Sequence, residues 1–65
     1  MYHTLTAFRN NEWVMCHFMP YANGSKVKIS YSWGSEKKLS VEEARGLWTG
    51  LKRKGWTVHN PVVEF

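Results

Sequence analysis

The stretch Trp13-Val14-Met15-Cys16-His17-Phe18-Met19-Pro20-Tyr21-Ala22-Asn23-Gly24-Ser25-Lys26-Val27-Lys28-Ile29-Ser30-Tyr31-Ser32-Trp33 decides the fold. At its centre Asn23-Gly24 separates two alternating segments, the strongest short-range signal of a two-residue type I′ hairpin. That turn sets Phe18 opposite Ile29, Cys16 opposite Tyr31 and Val14 opposite Trp33. Successive side chains of a strand point to opposite faces, so the residues sort into two sets. Val14, Cys16, Phe18, Val27, Ile29, Tyr31 and Trp33 make an apolar face. Trp13, Met15, His17, Met19 and Tyr21, with Lys26, Lys28, Ser30 and Ser32, make the other.

The segment before it extends the pattern. Tyr2 to Phe8 alternates, and Asn10-Asn11 supplies a tight turn, since Asn tolerates positive φ, or else a longer loop. A two-residue turn pairs Arg9 with Glu12, Ala7 with Val14, Thr6 with Met15 and Leu5 with Cys16. Leu5 and Ala7 then join the apolar face, while Tyr2, Thr4, Thr6 and Phe8 join the other. A slip of one residue would scramble both faces, so two independent turns agreeing on one core predict a three-stranded antiparallel meander over about 2–9, 12–21 and 26–33.

Gly34 to Lys38 reads as a polar connection, leading into a helix over about 41–54. Ser40 and Glu43 have the spacing of a capping box, and Leu39 with Ala44 has that of a hydrophobic staple. Val41, Ala44, Leu47, Trp48 and Leu51 recur at helical spacing and form one stripe. Glu42 and Glu43 in the first turn and Lys52, Arg53 and Lys54 in the last suit the helix dipole. Gly55 is placed to end the helix, with Trp56 packing back on Leu51. Gly46 and Gly50 fall on the polar side. Residues 56–59 read as a short C-terminal strand, and Pro61 makes the remaining residues an edge or tail. A right-handed crossover can set this strand parallel to its neighbour, beside the first or third strand. The expected class is α+β, one domain over 1–65, with the helix across one face of the sheet.

Sixty-five residues lie near the lower size limit for a core without staples. The lone Cys16 excludes an intrachain disulfide and fits a reducing, cytoplasmic setting. Four Trp, three Tyr and three Phe compensate for the short chain, since each large ring buries roughly 150–250 Å². Met1-Tyr2-His3-Thr4 lacks the charged and apolar regions of a secretory signal, and no apolar run approaches the roughly 20 residues of a membrane span. A net charge of +4 with no Asp inclines the chain toward polyanions.

Catalysis is not expected. The carboxylates are Glu12, Glu36, Glu42, Glu43 and Glu64, and no Ser has a base and acid arranged around it. Cys16 and His17 are adjacent on a strand and face opposite ways, so they cannot share a proton. No cofactor or metal is implied, because His3, Cys16, His17 and His59 lack ligand spacing.

The face away from the helix is the candidate site. Trp13, Tyr21, Phe8 and Tyr2 present rings there, Met15, His17 and Met19 lie between them, and Lys26 and Lys28 add charge. Sheet platforms of this kind hold single-stranded nucleic acid by stacking. Arg45, Lys52, Arg53 and Lys54 form a secondary basic cluster, or an ordinary solvated helix face. A protein partner, whether a second copy or a larger protein regulated by this one, is the alternative occupant. The segment from Asn60 to Phe65, if it folds over the same face, completes a core instead.

The run Glu43-Ala44-Arg45-Gly46-Leu47-Trp48-Thr49-Gly50-Leu51-Lys52-Arg53-Lys54-Gly55-Trp56 resembles the E-A-x-x-L-W-x-x-L-x-x-x-G-W signature that closes a small family of marine cyanobacterial proteins. The resemblance covers under a quarter of the chain. It implies a cyanobacterial or cyanophage origin and carries no site residue across, that family having no established activity. The expected architecture is also similar to the plant-type DNA-binding domain of three strands and a helix. That domain reads bases with arginines on its sheet, and here threonine, methionine and serine stand in their place.

Overall fold

The computed structural model describes residues 3–59. Five strands and one helix occur in the order β1 (His3–Arg9), β2 (Glu12–Pro20), β3 (Lys26–Tyr31), β4 (Glu36–Ser40), α1 (Val41–Arg53) and β5 (Thr57–Val58). The strands form one antiparallel sheet in the order β4-β3-β2-β1-β5. The fold is α+β, with the helix packed on one face against β4, β3 and β1.

Both hairpin registers match the sequence reading: Leu5 pairs with Cys16 and Ala7 with Val14, and Cys16 pairs with Tyr31 and Phe18 with Ile29. The first turn is the tight one expected, and the second differs in type. Asn10 and Asn11 have φ of 51° and 64°, so they supply the tight turn with two left-handed residues. The Asn23-Gly24 turn is not type I′. Ala22 and Asn23 keep negative φ, the Gly24 amide donates to the Tyr21 carbonyl at 2.9 Å, and only Gly24, at φ 74°, is left-handed. The Asn23 side-chain oxygen accepts from both the amide and the hydroxyl of Ser25, at 3.1 and 3.0 Å. The loop therefore runs over Ala22–Ser25, closed by Tyr21 N–H donating to the Lys26 carbonyl at 3.0 Å. Four residues in place of two leave the pairing parity unchanged, which is why the register survives.

The segment expected as a polar connection holds β4. Its register is Ser30 with Glu36, Lys28 with Lys38 and Lys26 with Ser40. The loop Ser32–Gly34 makes the turn, with Gly34 N–H donating to the Tyr31 carbonyl at 3.0 Å and Tyr31 N–H donating to the Ser35 carbonyl at 2.8 Å. Trp33 accordingly leaves the core face assigned to it and is 58 % exposed, stacked on Tyr31 at 4.6 Å. Insertion of β4 reverses the chain once more before the helix. As a result β5 comes back antiparallel to β1, Leu5 to Val58 and Thr6 to Thr57, and not parallel.

The helix begins directly from β4. The Ser40 hydroxyl accepts from Glu43 N–H at 3.1 Å and the Glu43 carboxylate accepts from Ser40 N–H at 3.0 Å, a complete capping box. The Ser40 bonds hold the Glu43 carboxyl below its ordinary pKa. The other end is a Schellman motif: Gly55, at φ 107°, donates to the Lys52 carbonyl and Trp56 N–H donates to that of Leu51, each at 3.1 Å. The core comprises Leu5, Cys16, Phe18, Val27, Ile29, Ala44, Trp48 and Trp56, with Leu39, Val41, Leu47 and Leu51 packed around it. Trp48 meets Phe18 edge to face at 5.1 Å and the His3 ring at 6.2 Å, and the Arg9 guanidinium lies over Trp56 at 5.3 Å.

Candidate nucleic-acid interface

Since Leu5, Cys16, Phe18, Val27 and Ile29 point under the helix, their neighbours in sequence point the other way. The registers arrange these neighbours in rows across the sheet. Phe8 and Trp13 form the first row, and Thr57, Thr6, Met15 and Ser32 the second. Thr4, His17, Ser30 and Glu36 form the third, beside His59. Met19, Lys28 and Lys38 make the fourth, and Tyr21, Lys26 and Ser40 the last.

The two ends of this face differ in chemistry. At one end Trp13 is 68 % and Phe8 58 % exposed, and the rings meet edge to face at 5.3 Å. Edge-to-face pairing still leaves ring faces available for stacking. At the other end Lys28 and Lys38 are direct cross-strand neighbours, an unfavourable like-charge pair. Two contacts relieve it. Lys28 pairs with the Glu36 carboxylate at 3.5 Å, and the Lys38 ammonium lies 5.3 Å from the Tyr21 ring centre. Tyr21, Lys28, Glu36, Lys37 and Lys38 line a hollow of about 360 Å³ there. Between the ends, Met15, His17 and Met19 are half-buried. A hydrogen bond of 2.9 Å between the Thr4 hydroxyl and His17 Nδ1 orients the imidazole.

Of the expected site residues, Phe8, Trp13, Met15, His17, Met19, Tyr21, Lys26 and Lys28 therefore share one face, and Tyr2 lies outside the described residues. Arg45, Lys52, Arg53 and Lys54 are exposed on the helix, on the opposite side of the sheet, and do not join them. The expected covering by Asn60 to Phe65 also falls outside the described residues. Lys38, Glu36, Thr57 and His59 were missed because β4 and the pairing of β5 were missed. The signal for β4 was Ser32-Trp33-Gly34 itself, since a glycine closing a three-residue loop is a common hairpin connection.

Cys16 is fully buried, and burial pushes its thiol up to about 11, against the Tyr31 hydrogen bond and the Lys37 charge, which pull it down. A thiol so raised is a poor nucleophile near neutral pH. His17 lies on the other face. Among the described residues no three His, Cys, Asp or Glu side chains gather to hold a metal ion, and no helix is long and apolar enough to cross a membrane. Comparison with known proteins adds no relative, as no family model, curated protein or solved structure matches the chain.

Proposed function

We propose that this chain is a non-catalytic module that binds single-stranded nucleic acid on the sheet face away from the helix, the face left bare among the described residues. The observation that carries the reading is the polarity of that face, with exposed rings at one end and lysines at the other. From Trp13 to Tyr21 the second strand covers about 26 Å at roughly 3.3 Å per residue, room for a strand of several nucleotides. Bases stack on Trp13, Phe8 and Tyr21, and phosphates track along Lys26, Lys28 and Lys38. No arginine stands in mid-strand to grip a guanine edge, which supports sequence-tolerant binding.

Three lysines bound the salt response. A single strand loses affinity with a log–log slope of about −0.7 per neutralised phosphate, so the expected slope is no steeper than about −2. Titration with short oligonucleotides, read by fluorescence anisotropy, tests it. Trp13→Ala is expected to cost about 1–3 kcal/mol of binding, the contribution of one stacked base. Salt-independent binding, or none, rejects the reading. The half-buried Met15 and Met19 favour a second occupant, an apolar protein surface, because thioethers adapt to varied partners. Sedimentation of the pure protein tests its self-association form.

A further inference from the structure

The bare face also contains an apolar hollow distinct from the lysine-lined one, and we infer that it is a seat for one nucleobase. It measures about 400 Å³ and is lined by Thr6, Trp13, Met15, Ser32 and His59. That is at the small end of the roughly 300–1,000 Å³ of small-molecule sites, enough for one base with its sugar. The inference rests on the nucleic-acid reading and assigns positions to it, three of which (Thr6, Ser32 and His59) had no role there.

The registers explain how the hollow arises. Thr6, Met15 and Ser32 lie in one row across β1, β2 and the loop after β3, with the thioether in the middle. Trp13 stands one row to one side. His59 stands one row to the other, fixed by its N–H donating to the Thr4 carbonyl at 2.8 Å. Indole and imidazole thus bracket a polarizable floor about 13 Å long, four residues at roughly 3.3 Å each.

The rim supplies hydrogen-bonding groups for the edge of a flat ring. The Ser32 oxygen accepts from Met15 N–H at 3.0 Å, which orients the hydroxyl, and its own O–H still carries a proton to donate. Across Met15 from it, the Thr6 and Thr57 hydroxyls sit 3.4 Å apart. No carboxylate lines the hollow, so nothing there repels an anionic chain. Along β3, Lys28 lies four residues from Ser32, again about 13 Å. A strand with one base seated against Trp13 therefore carries its later phosphates toward Lys28 and Lys38.

The test compares eight-nucleotide oligo(dT), oligo(dC) and oligo(dA), an abasic phosphodiester chain of equal length, and the free nucleoside monophosphates. Base-bearing chains are expected to bind about tenfold or more tightly than the abasic chain, as loss of a stacked base implies. Ser32→Ala and His59→Ala are each expected to weaken binding several-fold and leave the salt slope unaltered, whereas Lys28→Ala flattens the slope. His59→Ala guards against any loss of order in Ser32→Ala, whose oxygen holds Met15, and circular dichroism confirms that both variants fold. If octamers bind the wild type and both variants equally while the abasic chain binds more weakly, the seat falls and the face reading stands. If the abasic chain binds as well as the others, stacking contributes nothing and both fall. If monophosphates bind and lose affinity in both variants while octamers bind no better, the seat serves free nucleotides and the face reading falls. If neither class binds, both are overturned.

Discussion

The two faces of this sheet are woven from the same strands, residue by residue in alternation, yet they distribute large and small side chains in opposite ways. The covered face fully buries Leu5, Cys16, Val27 and Ile29 with the ring of Phe18, and Tyr31 packs half-buried beside them. The bare face displays the rings of Trp13 and Phe8 in water. In a chain this short, apolar area left exposed forgoes stabilisation of about 25 cal/mol per Å². The difference teaches that the core does not dictate where the aromatic residues go. A ring outside the core asks for a contact elsewhere.

Substitutions that exchange the roles of the faces test this, and the largest effect is expected at the covered face. Phe18→Ala removes the ring that meets Trp48 at 5.1 Å and is expected to cost about 3–5 kcal/mol. Total stability at this size is only about 3–10 kcal/mol, so urea unfolding should find the variant close to its midpoint with little or no denaturant. A loss under 1 kcal/mol would mean that the covered face is not the core.

The next effect is alkaline. Burial raises the Cys16 thiol from 9.0 to about 11 and the Tyr31 hydroxyl above its ordinary 10.0. Between pH 9 and 11 the unfolded chain has released the thiol proton and the folded chain retains it, so stability falls as pH rises. Below pH 9 this contribution is fully present. At 1.36 kcal/mol per pH unit the loss is about 3 kcal/mol at most. Urea midpoints measured across that window should drop in the wild type and much less in Cys16→Ala, the remaining decline belonging to Tyr31. Equal slopes in the two proteins would remove the buried thiol as the cause.

The smallest effect is expected on the bare face. Trp13→Ala forfeits the edge contact with Phe8, about 1 kcal/mol, from a side chain that is 68 % exposed. Thermal unfolding that shows a cost above 3 kcal/mol would assign Trp13 to the fold and erase the contrast between the faces.

Much of this organisation was legible in the chain, and most of the misses share one cause. Alternation over Leu5–Phe8, Trp13–Met19 and Val27–Tyr31 read correctly because a half-buried strand must alternate. Ser40, Glu43 and Gly55 read correctly because their roles depend on local hydrogen bonds and φ alone. Glu36-Lys37-Lys38 carries no alternation, since it forms the sheet edge. An edge strand is kept charged to discourage pairing with other chains, and this conceals it from a search for apolar period. Losing β4 also lost the direction of β5 and the placement of Lys38 and His59, so part of the hollow beside Trp13 was invisible. Asn23-Gly24 shows a different limit. Parity carried the register, and the turn type itself was not recoverable from two residues.

The strand order has a kinetic consequence. β4, β3, β2 and β1 are sequence neighbours, so three hairpins can close over short loops at the microsecond scale typical of such units. β5 alone must return across about fifty residues to reach β1, and that closure carries the larger entropic cost of long loops. Until Trp56 docks beside Arg9, the outer edge of β1 is available to strands of other molecules. Temperature and dilution during refolding should thus influence yield mainly through this final latch, and a trapped species would be one with its hairpins formed and its last strand undocked.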